Sequence, residues 1–158
     1  FYNNCHLWQA IHYLVNQVIA SGANAPIDEV RVPPDTYRRN LEAIARQCDE
    51  AGIPLVLVTA PSGYATQGVP DYLVERNFVP DKQTAQDRHD AYVELTRQVA
   101  QDGGHVLLDL ARHCADLKEP GRVFMSDGIH FQQAGLVLVT DRVVTLIQQQ
   151  ELLGKSSE

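Results

Sequence analysis

The sequence predicts an α/β protein with a parallel sheet. Two short apolar runs, at 53–60 and 105–110, are typical of strands that are covered on both faces. These runs alternate with segments in which apolar residues recur at helical spacing. The resulting order of helix, strand, helix, strand and helix favours a parallel sheet with right-handed crossovers.

Length and composition place the chain among single-domain globular proteins. It has 158 residues, of which 44% are hydrophobic and 21% charged. A net charge of −7 argues against a nucleic-acid partner and against electrostatic binding to anionic lipid. No apolar run reaches the roughly 18 residues that a membrane span needs, and no basic-then-apolar signal peptide opens the chain.

The first half of the chain contains two predicted helices before the first strand. Apolar spacing predicts an amphipathic helix over residues 5–20, which ends in the Gly- and Pro-containing segment 21–26. Asp35, after two prolines, starts a second helix, and Gly52 ends it. Its predicted inner face carries Tyr37, Leu41, Ile44, Ala45 and Cys48.

The second half alternates helices with the second strand. A short helical piece is predicted near 72–77, and a longer helix over 84–100 that Gly103 and Gly104 terminate. The last helix is predicted over 132–150. Its core side carries Val139, Val143, Leu146 and Ile147. We expect residues 1–150 to belong to one domain and residues 151–158 to form a frayed tail.

Neither a metal site nor a cofactor is predicted. The three cysteines, Cys5, Cys48 and Cys114, are too widely spaced for a metal pair or a disulfide framework. Unpaired cysteines slightly favour a reducing compartment. His6 and His12 do not share a helical face. The sequence also lacks the glycine-rich fingerprints of dinucleotide and nucleoside triphosphate sites.

The strongest chemical pattern is Asp127-Gly128-Ile129-His130. Within one turn the carboxylate can reach Nδ1 of the imidazole, which fixes the tautomer and leaves Nε2 free to accept a proton from a nucleophile. This predicts the Asp-His half of a hydrolytic triad. On spacing alone, a surface turn in which Asp127 caps the next helix and His130 is merely solvated fits equally well.

Ser62 is a second candidate site residue. It lies just past the first strand, and the carboxyl ends of parallel strands are where ligands bind. We therefore expect it to line a substrate site. As a nucleophile it lacks the Gly-x-Ser-x-Gly elbow. His89, on a helix, is expected to be a surface histidine. His105 and His113 are expected to be solvated or hydrogen-bonded residues rather than catalysts.

The block Asp127–Gly135 resembles the last conserved block of the SGNH (GDSL-type) hydrolases. Further similar segments occur in the same order, and together they extend from about Val30 to Ile147. They are Arg31-Val32-Pro33, Tyr37-Arg38-Arg39-Asn40-Leu41, Thr59-Ala60-Pro61-Ser62, His89 with Tyr92-Val93, and Leu108-Asp109-Leu110-Ala111.

The resemblance implies a flavodoxin-like three-layer α/β/α sandwich. It also implies that His130 is the general base and Asp127 its orienting partner. The reaction would be hydrolysis of a small-molecule, lipid or carbohydrate ester through an acyl-enzyme, without metal or cofactor.

The sequence departs from the family pattern at the nucleophile. Neither a Gly-Asp-Ser block nor a Gly-x-Asn-Asp block occurs, and the chain starts at Phe1. We therefore expect the C-terminal part of such a domain, inactive alone because the serine and the oxyanion donors are missing. Two alternatives remain, namely a catalytically inactive binding or scaffolding domain and a hydrolase that uses Ser62. Apart from the cysteines, the sequence carries no signal for the compartment, and it carries none for the oligomeric state.

Overall fold

The computed structural model describes residues 30–152. It shows a parallel two-stranded sheet that is flanked by helices. The predicted helix over 5–20 and residues 153–158 of the predicted tail lie outside the described residues. In chain order the elements are α1 Pro34–Ala51, β1 Val56–Val58, α2 Tyr64–Gln67, α3 Asp71–Glu75, α4 Lys82–Gly103, β2 Val106–Leu108, α5 Leu110–Ala115, α6 Pro120–Val123 and α7 Gln133–Gln149. The predicted α/β class is confirmed.

Helix α1 begins and ends close to the predicted positions. Pro34 has the fixed φ that suits the first helical turn, and Gly52 ends the helix in the left-handed conformation with φ 65°. The helix packs against α4, where the Tyr37 hydroxyl lies 3.0 Å from the hydroxyl of Thr96.

The inner face of α1 is narrower than predicted. Ala45 is buried and Leu41 and Cys48 are half-buried, but Ile44 is 48% exposed. At 100° per residue, Ile44 and Ala45 lie at opposite edges of the apolar stripe. The packing against α4 covers the edge that carries Ala45, so the expectation that Ile44 faces the core is wrong.

The two strands form a parallel βαβ unit. Their register pairs Val56 with Val106, and α4 connects the two strands. Leu57 of β1 is buried against Val99 of α4. The core of this unit therefore lies between the sheet and the α1–α4 helix pair.

Both strands are shorter than predicted, and one face of β1 is open among the described residues. Leu57 points toward α4, so Val58 points to the opposite face because side chains alternate along a strand. Val58 is 45% exposed and Ile53 is 58% exposed. The expectation that the first strand is covered on both faces is therefore wrong for residues 30–152.

Strand β2 ends early because Asp109 starts a helix. Its carboxylate accepts the backbone N–H of Arg112 at 3.1 Å, which caps α5. The predicted strand over 105–110 therefore stops at Leu108, and the chain turns away from the sheet edge.

The two long later helices lie close to their predicted bounds. Helix α4 is capped by Asp81, which accepts the Thr84 N–H at 2.7 Å, and ends at Gly104 with φ 66°. The predicted core side of α7 is half-buried throughout: Val139, Val143, Leu146 and Ile147. None of the helices between residues 30 and 152 is long and apolar enough to cross a membrane.

Candidate active site

The Asp127–His130 turn lies at the tip of a short hairpin between α6 and α7. Phe124 and Phe131 form an antiparallel bridge, and the Met125 N–H donates to the His130 carbonyl at 2.8 Å. Phe124 is 1% exposed, and its ring stacks on Phe131 with centroids 5.4 Å apart. This ring pair holds the two ends of the turn together.

The Asp127 carboxylate organises the backbone of the turn. Its Oδ1 accepts the N–H groups of Ile129 at 3.1 Å and His130 at 3.0 Å. Gly128 has φ 73°, a conformation that residues with a Cβ rarely adopt. The His130 and Ile129 N–H groups, together with the His130 side chain, lower the pKa of Asp127 to about 2. Asp127 is therefore ionised at neutral pH.

The same carboxylate contacts the imidazole of His130. Asp127 Oδ2 lies 2.5 Å from His130 Nδ1. A proton on Nδ1 in this contact leaves Nε2 as the acceptor nitrogen. The His130 side chain is 69% exposed and that of Asp127 25%. Asp127 does not cap α7, whose N-cap position is Gln132.

Helix α7 is fixed to the hairpin by backbone contacts. The Gln132 side-chain amide donates to the carbonyls of Gly121 at 2.6 Å and Phe124 at 2.9 Å. Gly135 approaches α6 so closely that a Cβ there would lie 2.4 Å from the Val123 carbonyl oxygen. These contacts set where the hairpin stands relative to the helix.

Residues after β1 hold the turn from the other side. The Gly63 N–H donates to the Gly128 carbonyl at 2.8 Å. The Tyr64 ring lies against Gly128, where an added Cβ would be 3.0 Å from Tyr64 Cδ1. Burial, with smaller effects of Tyr72 and Asp127, raises the pKa of Tyr64. The turn is therefore positioned by the carboxyl end of β1.

Ser62 lies beside this contact but is not hydrogen-bonded to His130. Its side chain lines a cavity of about 250 Å³ between the loop after β1, α4 and α5. Of the sequence-predicted site residues, the structure brings Asp127 and His130 together and places Ser62 in this cavity.

A second carboxylate, Asp109, joins the ends of both strands. It accepts the Thr59 hydroxyl at 2.8 Å and the Arg97 guanidinium at 2.9 and 3.0 Å. Burial alone raises the pKa of Asp109, but the hydrogen bonds from Arg97, Thr59 and the Arg112 backbone outweigh it and lower the pKa. Thr59 itself is fully buried.

Four supporting residues were not predicted. Thr59 and Asp109 each close an apolar strand, and a buried polar group at that position needs a partner, which was the available signal. Arg97 carried no sequence signal, because it looks like one of the many charged residues on a solvated helix face. Tyr64 gave none either, because its contact with Gly128 spans two distant segments.

One histidine prediction is wrong. His89 was expected at the surface, but its side chain is 18% exposed and its ring contacts Tyr64 with centroids 5.6 Å apart. The cause is α2, an unpredicted single turn that brings Tyr64 over α4. His105 Nδ1 lies 3.9 Å from an oxygen of Asp49, and His113 is exposed.

Metal ligands do not cluster in the described chain. Between residues 30 and 152, no group of three or more histidine, cysteine or acidic side chains could hold an ion. Cys48 and Cys114 are free thiols, and burial raises the pKa of Cys114. A protonated, buried thiol is a packing residue rather than a nucleophile.

Comparison with curated protein sequences finds no match. Among solved structures, the lipase/acylhydrolase from Enterococcus faecalis is similar, with a TM-score of 0.58 and 18% sequence identity. The alignment covers 77% of this chain and 54% of that one, so the chain spans about half the length of its structural relative. At this identity the likeness concerns the fold, and it confirms the predicted fold class.

A model of the GDSL-like lipase/acylhydrolase family matches residues 18–136. The match covers most of the chain and includes both Asp127 and His130, and it confirms the resemblance drawn from the sequence. The chain therefore belongs to the GDSL-like lipase/acylhydrolase family.

Proposed function

We propose that the protein hydrolyses acyl esters, with His130 as the general base and Asp127 as the group that orients it. The observation that carries this proposal is the 2.5 Å contact between Asp127 Oδ2 and His130 Nδ1. Membership of an acylhydrolase family supports the same reaction class. The substrates would be small-molecule, lipid or carbohydrate esters.

In this mechanism Asp127 holds the proton on Nδ1, so that Nε2 takes the proton of a serine hydroxyl. The serine oxygen attacks the acyl carbon, and His130 then returns the proton to the leaving alcohol. Water repeats the cycle and releases the acid. Because the pKa of Asp127 is about 2, its negative charge is present throughout and stabilises the imidazolium.

We place the nucleophilic serine outside residues 1–158, because the sequence contains no Gly-Asp-Ser block. Within the described chain, no serine hydroxyl lies within hydrogen-bonding distance of His130. Ser62 faces the cavity between α4 and α5, so we assign it to substrate binding rather than to nucleophilic attack.

The lack of a serine hydroxyl near His130 within residues 30–152 favours a second candidate function. A dyad whose Nε2 contacts no hydroxyl within residues 30–152 would give little rate enhancement, because triad members act as a unit. The domain would then bind or scaffold rather than catalyse.

Fluorophosphonate labelling of the full gene product, including any reading frame upstream of Phe1, separates these possibilities. We expect one labelled serine outside residues 1–158, and loss of labelling in His130→Ala. A His113→Ala variant, at another exposed histidine, serves as the matched control and should label normally. Labelling of Ser62 itself would identify it as the nucleophile, and no labelling with no ester hydrolysis would favour the binding domain.

A further inference from the structure

The cavity lined by Ser62 lies where parallel sheets usually bind ligands. Ser62 follows β1 and Ala111 follows β2, so both come from the carboxyl ends of the strands. Helix α4 closes the third side. We call this space the α4–α5 cavity.

The size of the α4–α5 cavity fits one small ring. Its volume is about 250 Å³, several times the roughly 30 Å³ that a water molecule occupies in the liquid. It falls just below the about 300 Å³ at which sites for drug-sized ligands begin. A long acyl chain would exceed it.

The apolar part of the cavity lining is made of small side chains. Ala65, Val93, Ala111 and Ala115 line it, and Val93 is only 4% exposed. Small side chains leave the space open, and their methyl groups match the C–H face of a sugar or polyol rather than a fully charged ion.

The rim is polar, and its charges balance. Asp90 supplies a carboxylate that already accepts the Gln86 amide at 3.0 Å. Arg112 supplies a guanidinium with no side-chain partner in the described chain, whereas the charge of Arg97 is taken up by Asp109. One free cation against one anion gives a site without net preference for ionic ligands.

Hydroxyl groups suit such a rim because each can donate and accept. A ligand hydroxyl can donate to Asp90 and accept from Arg112, and Ser62 can do either. His89 adds one more group to the wall: its Nε2 is buried without a hydrogen-bond partner among residues 30–152. Its Nδ1 contact to Asp90 is long, at 3.4 Å.

Two contacts link the lining of the cavity to the Asp127–His130 turn. Ser62 immediately precedes Gly63, whose N–H binds the Gly128 carbonyl. The Tyr64 ring contacts Gly128 and His89. A group held in the cavity therefore lies beside the segment that positions the base.

We propose that the α4–α5 cavity binds one sugar or polyol unit as the alcohol half of the ester. This inference rests on the proposed function. In it, the cavity holds the leaving alcohol, to which His130 returns the proton, and the acyl group lies outside the cavity.

Binding is tested by NMR titration of the full gene product with glucose, N-acetylglucosamine and glycerol. We expect saturable shifts at Ser62, His89 and Ala111 with a Kd on the order of millimolar for at least one of them. The absence of any saturable response would overturn the proposal. The same shifts with sodium phosphate or acetate, and none with the sugars, would also overturn it and indicate an anion site.

Two variants and one matched control locate the site. Asp90→Ala removes a rim acceptor, and Ala115→Leu fills the cavity from an exposed position; each should weaken binding about tenfold or more. Asp87→Ala also removes a Gln-to-Asp contact on α4, the 2.8 Å bond from Gln83, but does not line the cavity. Equal effects of Asp90→Ala and Asp87→Ala, with none from Ala115→Leu, would contradict the assignment.

Kinetics separate this inference from the function on which it rests. We expect Ala115→Leu to lower kcat/KM for an acetylated methyl glucoside about tenfold more than for p-nitrophenyl acetate. Hydrolysis of both esters without this difference would overturn the cavity assignment and leave the proposed function standing. No hydrolysis of either ester by the wild type would overturn both, even if the sugar binds.

Discussion

Asp127 and Asp109 are similar carboxylates with different partners. Each accepts the backbone N–H three residues later, at 3.0 Å from His130 and 3.1 Å from Arg112, and each has a lowered pKa. Their side chains are 25% and 21% exposed. The chemistry around them differs because their remaining partners differ.

The partners of Asp127 are local, and those of Asp109 are distant. Among residues 30–152, the hydrogen bonds of Asp127 all lie within its own turn, and its partner His130 has a side chain that is 69% exposed. Asp109 accepts hydrogen bonds from Thr59, which is 50 residues away in the sequence, and from Arg97, which is 12 residues away. The first arrangement leaves an exposed imidazole, which the proposed function uses as its base, and the second ties three elements together. Two similar carboxylates thus differ in whether they leave a titratable partner exposed or bury their partners in the fold.

The largest effect is expected on the rate of ester hydrolysis when His130, the partner of Asp127, is removed. In the protein that carries the nucleophile, His130→Ala should lower kcat for ester hydrolysis about 10⁴-fold or more, because the serine loses its base. The rate is measured with p-nitrophenyl esters. His113→Ala, a change at another exposed histidine, should leave kcat unchanged; retained activity in His130→Ala would remove His130 from the mechanism.

At the structural side, Asp109→Ala should lower the free energy of unfolding by about 2–3 kcal/mol. The change leaves the buried Thr59 hydroxyl and Arg97 without their acceptor and removes the cap of α5. Urea denaturation measures the loss. Glu119→Ala breaks the exposed pair with Arg122 and should change the value by less than about 0.5 kcal/mol. Equal effects of the two variants would show that Asp109 does not tie the strands together.

Gly52 and Gly128 separate the effect of backbone strain from the effect of moving the Asp127–His130 turn. Gly52 and Gly128 have φ 65° and 73°, so an alanine at either should cost about 1 kcal/mol of stability. A Cβ at Gly52 meets nothing within 4 Å, whereas one at Gly128 meets Tyr64 at 3.0 Å. Gly128→Ala should therefore also lower kcat about tenfold, because the turn shifts. If kcat is unaffected by Gly128→Ala, the Tyr64 contact does not position the turn.

The smallest effect concerns acid pH. Because the pKa of Asp127 falls from 3.8 to about 2 on folding, its contribution to stability is complete above about pH 4 and is lost as pH falls through 2. Carboxyl-carbon NMR should show this midpoint, and any pH dependence of hydrolysis above pH 4 should come from another group. A midpoint at 3.8 or above would contradict the hydrogen bonds of the turn.

The features that depend on residues close together in the chain could be predicted from the sequence. Asp127 can reach His130 within a single turn, so the spacing of three residues allows the contact, and the family resemblance favours it over a solvated surface turn. The long helices follow from apolar periodicity and from glycines such as Gly52 that end them. The family resemblance rested on the same short blocks in their order.

The rest required the tertiary structure. No spacing rule connects Arg97 to Asp109 or Tyr64 to Gly128, because these contacts depend on how α2, α4 and the hairpin pack against the strand ends. The burial of His89 and the exposure of Ile44 were decided in the same way. The α/β class, the long helices α1, α4 and α7 and the possible contact between Asp127 and His130 follow from the sequence, since they depend on neighbours along the chain. What surrounds the turn follows from packing, because packing brings together residues that the chain keeps far apart.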